Sequence, residues 1–130
     1  MAALTTQRNT PEYHTGGIFY LYEFEAAGTI YAGSLVCLNS SGKAVPASDT
    51  ASLVTLGRAE NTASSGETVK VKKGVFVYEN GSDAETLAVT DIGRECYILD
   101  DQTVGKAGGT NKIAAGKVLD VTTDGVVVII

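Results

Sequence analysis

The chain has 130 residues, of which 44% are hydrophobic and 19% charged, and its formal net charge is −5 at pH 7. This length fits one domain with its own core, and the apolar fraction excludes a chain that is disordered throughout. Because the negative charge repels phosphate backbones and anionic headgroups, neither nucleic acid nor a membrane surface is an expected partner.

The first 17 residues contain few large apolar groups and end in Gly16-Gly17. Such a segment cannot bury enough surface to order itself. We therefore expect an extended N-terminal arm at 1–17, loose or ordered by a partner, ahead of a single domain at 18–130. The first strongly apolar stretch, residues 18–22, is too short for a membrane span or a signal-peptide core. The sequence thus predicts a protein that is made and used without secretion.

Short apolar runs separated by Gly, Asn and Asp follow from residue 18 onward, a pattern typical of an all-β sandwich or barrel. Period-two alternation is clearest where Val69 and Val71 face one way and Lys70 and Lys72 the other. The predicted strands are residues 18–24, 29–31, 34–38, 44–45, 53–59, 68–73, 75–78, 95–99, 102–104, 117–121 and 126–130.

Turn and helix signals complete this pattern. At most one short helix is predicted, with one or two turns around residues 83–89, where Ser82 and Glu85 stand at capping-box spacing. Hairpin turns are indicated by three dipeptides that tolerate positive φ: Ser41-Gly42, Asn80-Gly81 and Asp124-Gly125.

Two strands carry signals about their surroundings. The run Val126–Ile130 breaks alternation, and five β-branched residues on an open edge would template aggregation. Both faces are therefore expected to be covered, by the sheet system or by a subunit contact. Lys70, Lys72 and Lys73 form a basic stripe, interpreted as a solvated strand face that discourages edge pairing; a binding stripe for an acidic partner is the alternative.

Aromatic residues crowd near the start of the predicted domain. In a strand, Tyr20, Tyr22 and Phe24 share one face, whereas Glu23 and Glu25 point the other way. No basic residues are interleaved among the aromatic side chains. Core packing or a subunit interface therefore explains the cluster better than stacking on nucleic acid bases.

The sequence is poor in catalytic side chains, with one His and no spacing of His, Cys and Asp that would close a zinc site. His14 lies in the arm, where a base cannot be held at hydrogen-bonding geometry to a nucleophile. Cys37 and Cys96 lie in apolar runs, which favours buried reduced thiols; a disulfide is the alternative. The sequence predicts no catalytic residue, no cofactor and no metal site.

Two further features imitate ligand sites. The Gly-rich segment 105–109 lacks the following helix and the Lys-Ser/Thr of a P-loop, so we interpret it as a flexible loop between strands. Calcium needs about 6–8 oxygens from a dense loop, which the sequence does not contain. Four acids are instead interpreted as solvated turn and strand-end residues: Asp100, Asp101, Asp120 and Asp124.

Several pieces of sequence occur in a recognisable order: Arg8–Pro11 in the arm, Tyr31–Val36, Leu56–Ala59, Lys73–Phe76, and Ile92–Tyr97 leading into Asp100–Val104. Together they resemble the small capsid decoration, or cement, proteins of tailed bacteriophages, especially those of Mu-like phages and prophages. The resemblance spans nearly the whole chain. It implies a compact β-barrel or β-tulip-like domain of short antiparallel strands that assembles as a homotrimer on the outer surface of the phage head.

In that family the arm pairs with the major capsid protein, and main-chain pairing onto a neighbour's sheet would supply the order that the arm lacks. The resemblance implies a non-enzymatic virion protein, made in the host cytoplasm, that stabilises the expanded capsid. The capsid-binding residues carried over to this chain are Leu4, Thr5, Gln7, Arg8, Asn9, Thr10 and Pro11.

Other functions are compatible with the residues alone. One alternative is a soluble carbohydrate-binding or host-surface-binding β-module, and another is a tail or head-completion structural subunit. A hydrolase ranks below these, because no set of nucleophile, base and orienting group can be drawn from the sequence.

Overall fold

The computed structural model describes residues 2, 5–8 and 21–130 and confirms an all-β fold. Two short 3₁₀ turns, Asp83–Glu85 and Val89–Asp91, are the helical segments of this described part. Among the same residues, no helix has the length and apolarity needed to cross a membrane. The ten strands are β1 (Leu21–Glu25), β2 (Leu35–Leu38), β3 (Ala44–Pro46), β4 (Val54–Ala59), β5 (Thr68–Lys72), β6 (Val75–Asn80), β7 (Glu95–Ile98), β8 (Thr103–Gly105), β9 (Ala114–Thr122) and β10 (Gly125–Ile129).

The strands form an open sheet and a closed barrel. The open sheet has the order β1-β5-β4-β2-β3, and the barrel has the order β10-β6-β8-β7-β9. Neighbouring strands are antiparallel except β6 and β8, which are parallel. A parallel pair needs a long crossover connection, and the chain supplies one through the two 3₁₀ turns and β7.

Strand β2 lies between the two hydrophobic cores. Leu35 and Cys37 belong to the barrel core, whereas Val36 belongs to the core of the open sheet. All three side chains are 0% exposed. A strand buried on both faces has a continuous apolar sequence, and burying each large aliphatic side chain contributes about 1.5–3 kcal/mol.

Polar contacts join the open sheet to the barrel. The Leu35 N–H donates to the Asp101 carbonyl oxygen at 2.8 Å. On β4, the Arg58 guanidinium lies 4.3 Å from the ring centroid of Phe76 and donates to the Glu60 carboxylate at 2.7 and 2.9 Å. A guanidinium over an aromatic face is attracted by the ring quadrupole. Arg58 therefore ties β4 to the barrel strand β6.

The loop between β8 and β9 wraps around two carboxylates, those of Glu85 and Asp49. Four loop amides donate to them at 2.7 to 3.0 Å: Ala107 and Gly108 to Glu85, and Thr110 and Asn111 to Asp49. The predicted flexible loop is thus held at two points, and these amides are not available to cradle a phosphate.

We expect Glu85→Ala to lower the free energy of unfolding by about 1–3 kcal/mol, because it removes a charged acceptor from two loop amides. Denaturant unfolding followed by circular dichroism measures the change. Glu95→Ala is the matched control: Glu95 is exposed and a surface substitution of this kind costs less than about 0.5 kcal/mol. Equal losses for the two variants would contradict the role given to Glu85.

The predicted helix around 83–89 is wrong in type and extent. The segment forms the two 3₁₀ turns, and Ser82 makes no side-chain cap hydrogen bond. Glu85 does not complete a capping box, because its carboxylate points to the loop amides instead. This long-range contact outweighs the local capping signal.

Strand and turn predictions are mostly confirmed. Ser41-Gly42 joins β2 to β3 and Asp124-Gly125 joins β9 to β10, with their glycines at φ +78° and +141°. Asn80-Gly81 does not form a hairpin, because the Asn80 side chain exchanges two 2.9 Å hydrogen bonds with the main chain of Leu87. The predicted strand 29–31 is also wrong, since only an isolated bridge forms there.

The interpretation of the lysine stripe is corrected by the strand order. Strand β5 lies between β1 and β4, so it is not an edge. Lys70 is exposed, but Lys72 and Lys73 are half-buried. The stripe cannot discourage edge pairing, because the pairing of β1 with β5 already covers that edge. Local sequence does not reveal this long-range pairing.

The sheet system of this chain covers the C-terminal strand on one face, and cover of its other face by a subunit contact stays a prediction. Val126 and Val128 are 0% exposed inside the barrel, whereas Val127 and Ile129 are half-buried on its outer side. Strand β10 pairs with β6 and β9, so neither of its edges is open. Within this chain, nothing in the described residues fully covers the outer side.

The hydroxyl of Tyr78 is buried in the barrel without a hydrogen-bond partner among the described residues. Burial raises the pKa of Tyr78 above its usual range. An unpaired buried polar group costs free energy that an apolar replacement of the same shape does not.

We therefore expect Tyr78→Phe to leave the free energy of unfolding unchanged or to raise it by up to about 1 kcal/mol. Thr55→Val is the contrast, since it removes a hydroxyl that donates to the Ala114 carbonyl oxygen at 2.6 Å, and it should cost about 1 kcal/mol. Thermal and urea unfolding measure both. A clear loss of stability in Tyr78→Phe would mean that its hydroxyl has a partner.

Candidate functional site: the N-terminal arm and strand β1

Strand β1 presents the two faces that its sequence predicts. Tyr22 and Phe24 are half-buried against the core of the open sheet, with ring centroids 5.7 Å apart. Glu23 and Glu25 are exposed on the opposite face. Tyr20, which was predicted to extend the aromatic face, lies outside the described residues. Core packing therefore accounts for the two described aromatic side chains of β1.

β1 is also an edge strand. It stands at the end of the strand order and pairs with β5. Among the described residues, the five residues of β1 have no second strand partner, and contact with β3 begins just after them, where the Ala27 N–H donates to the Ala44 carbonyl oxygen at 2.9 Å. The strand is anchored at its C-terminal end, where Glu25 forms a 2.6 Å ion pair with Lys43 and Ala26 bridges to Ala44. An anchored strand with one open edge can accept a further strand by backbone hydrogen bonding.

The predicted capsid-binding residues are only partly described. Thr5, Gln7 and Arg8 are exposed, and their side chains make no hydrogen bond or ion pair within the described residues. The other four predicted contacts, Leu4, Asn9, Thr10 and Pro11, lie outside the described residues, as do His14 and the predicted domain boundary at 17/18. The described part of the arm therefore offers polar side chains and one cation to solvent.

A polar groove of about 630 Å³ lies on the barrel, on the side of the second 3₁₀ turn. Its buried acid, Asp91, is 4% exposed, accepts the Ala88 N–H at 2.9 Å and lies 3.7 Å from the Lys106 ammonium. The residues lining the groove are Leu87, Thr90, Asp91, Arg94, Glu95, Tyr97 and Lys106. One aromatic ring beside several polar groups can hold a polar ligand.

Both cysteines are free and buried, as predicted. Burial raises the pKa of Cys37 to about 11 and that of Cys96 to about 11. The thiolate is the reactive form of cysteine, so burial disfavours the reactive form of both side chains near neutral pH. Their role in the described structure is to fill the barrel core.

Two of the predicted turn acids bond nearby amides, as short acids commonly do. Asp100 accepts the Gln102 N–H at 2.9 Å, and Asp120 accepts the Val121 N–H at 2.8 Å. In residues 2, 5–8 and 21–130, no group of three His, Cys, Asp or Glu side chains could hold a metal ion.

The sequence pieces that carry the family resemblance meet in space. Arg58, in the piece Leu56–Ala59, stacks on Phe76 of another piece. The Leu35 N–H donates to the Asp101 carbonyl oxygen, and this hydrogen bond joins the piece Tyr31–Val36 to the piece Asp100–Val104. Sequence reasoning did not identify these pairings, nor the carboxylates that hold the 105–112 loop, because partners far apart in sequence leave no local signal. These residues hold the fold together, and the arm and β1 remain the candidate site for binding.

Comparison of the chain with protein-family models, with curated proteins and with solved structures finds no match.

Proposed function

We propose that this chain is a structural virion protein that binds the outside of a tailed-phage head as a homotrimer and cements neighbouring major capsid subunits in the expanded state. The observation that carries the proposal is the combination of an exposed polar arm with an anchored edge strand shortly after it. Thr5, Gln7 and Arg8 are exposed, and β1 has an open edge.

The arm and edge suit binding by strand addition. A partner strand that pairs with an open edge gains affinity from main-chain hydrogen bonds, while side chains on alternate positions provide specificity. Ordering a polar segment on binding costs part of the gross interaction energy. A single arm is therefore expected to bind weakly.

Trimer symmetry overcomes this weakness. Once one arm is bound, the other two are held near their sites, so each later contact becomes intramolecular and gains from a high effective concentration. A trimer that binds the expanded shell and not the immature one stabilises the expanded state by its differential affinity. No covalent chemistry is needed for this function.

Copy number tests the proposal. In particles purified from the phage or prophage whose genome encodes this chain, quantitative mass spectrometry should find it at about as many copies as the major capsid protein. A tail or connector subunit would be far scarcer. A scarce protein in otherwise complete particles would reject a role in coating the head.

Deletion of residues 1–17 tests the role of the arm. We expect the truncated protein to keep its assembly mass and to lose binding to heads that lack it, measured by co-sedimentation. Arg8→Glu should weaken binding in the same assay, whereas Arg94→Glu, an exposed substitution on the barrel, should not. Full binding by the truncated protein would reject the arm as the capsid-binding element.

The polar groove favours a second candidate function, a carbohydrate-binding or host-surface-binding module. Tyr97 lies beside Asp91, Arg94 and Lys106 in this groove, which is the kind of surface that a sugar ligand uses. Under this alternative, Arg94→Glu would abolish binding to host cells or their polysaccharides and the arm deletion would not. Head binding and cell binding therefore separate the two functions.

A further inference from the structure

The outer side of strands β6 and β10 is an apolar surface of the barrel. Alternation sends every second residue inward and leaves four aliphatic side chains on the outside: Val75, Val77, Val127 and Ile129. Val77 is 55% exposed. With Lys117 and Asp120 of the adjacent strand β9, these residues form what we call the outer face.

Strand β10, at the centre of the outer face, has the sequence of a strand that is covered on both faces. Residues 126–130 are consecutive β-branched residues, yet this chain fully buries only Val126 and Val128 of β10. Alternation of polar and apolar residues is normal for a strand with one solvated side. The missing alternation therefore indicates that the outer face meets another surface.

Strand register arranges these six residues in two rungs: Val75, Ile129 and Lys117 in the first, and Val77, Val127 and Asp120 in the second. The first rung continues on β7, where Glu95 lies opposite Lys117. A register shift in the pairing of β9 with β10 sets Asp120 opposite Val127. Between the two rungs, Val128 points into the barrel.

On β9, the two rungs carry opposite charges. Lys117 stands in the first rung and Asp120 in the second, and both are exposed. Within the described part of the chain, neither side chain makes an ion pair. The same polarity extends beyond the two rungs, since half-buried Lys73 lies two residues before Val75 in sequence and exposed Glu79 follows Val77 as the next outer residue of β6.

We propose that the outer face binds the outer face of a second copy of this chain around a two-fold axis. The axis crosses the strands between the two rungs, so that the strands of the two copies run in opposite directions. The first rung of each copy then lies on the second rung of the other. Val127 meets Ile129 of the second copy, and Lys117 faces Asp120 of the second copy.

A second copy fits this surface because the surface is complementary to itself. In an isologous contact every pair of contacting residues occurs twice, so one half of the face must complement the other half. The two-fold rotation places the aliphatic side chains of one copy on those of the other copy. It also places Lys117 of each copy on Asp120 of the other. Lys73 likewise comes to the position of Glu79. Apolar centres with charged rims are typical of protein interfaces, and the opposite charges fix the register.

This contact rests on the strand register and does not depend on the proposed function. A two-fold contact joins each copy to one other copy, so a trimer must be built through a different surface. On an icosahedral shell, neighbouring three-fold positions are related by two-fold or local two-fold axes. The contact would therefore connect neighbouring trimers to each other in the proposed coat.

Sedimentation equilibrium or native mass spectrometry of the full chain over a wide concentration range tests the contact. We expect the wild-type mass to double at least as the concentration rises, and Val77→Lys to remain at the mass of the unit that the wild type shows before it associates. Val89→Lys is the matched control, since Val89 is 68% exposed and belongs to the second 3₁₀ turn and not to β6, β9 or β10; it should associate like the wild type. Circular dichroism checks that each variant is folded.

Charge reversal supplies a second test that leaves the apolar residues intact. Lys117→Glu places two acids together and Asp120→Lys places two lysines together, so each variant alone should associate roughly tenfold or more weakly. An equimolar mixture restores both opposite-charge pairs and should recover wild-type association. Added salt should weaken the mixture and relieve the repulsion in each single variant.

Three results would overturn the two-fold contact: a wild-type mass that never doubles, a Val77→Lys mass equal to that of the wild type, or a mixture that fails to recover. A fall to one third in Val77→Lys would assign the outer face to a three-fold contact instead. Head binding is measured separately. If the protein does not bind heads but the wild-type mass still doubles, the proposed function is rejected and the two-fold contact is still supported.

Discussion

The fold depends on the burial of one strand, β2, from both sides. Leu35 and Cys37 fill the barrel core while Val36, between them, fills the core of the open sheet. Because successive side chains of a strand point to opposite faces, one short apolar run can serve two cores. The main-chain bond from Leu35 to Asp101 and the packing of Arg58 on Phe76 then fix the sheet against the barrel.

This division gives the two parts of the molecule different exposed features. The open sheet keeps an edge at β1, which follows the polar arm in sequence, whereas the barrel has no strand edge because it closes on itself. What the barrel leaves exposed is the outer side of β6, β9 and β10. The open sheet therefore suits pairing with an added strand, and the barrel suits packing face to face.

Acidic side chains contribute to order in ways that the net charge does not indicate. The carboxylates of Glu85 and Asp49 accept amides of the Gly-rich loop, so two of the negative charges stabilise the fold. Charged acceptors make stronger hydrogen bonds than neutral ones. Lys117 and Asp120, by contrast, make no ion pair in the described structure and are available for an interface.

The sequence by itself determined the fold class, most strand positions, two of the three hairpin turns and the burial of Cys37 and Cys96, because period-two patterning, turn chemistry and apolar runs are local properties. It also predicted, through a family resemblance, that the arm binds a capsid, and this stays a prediction. Only the tertiary structure decided that β1 is an edge and β5 is not, that Glu85 holds a loop instead of capping a helix, and that Val127 and Ile129 remain on an outer face. Each of these depends on pairing between residues far apart in the chain, and the free energy of such pairing leaves no signal in a short window of sequence.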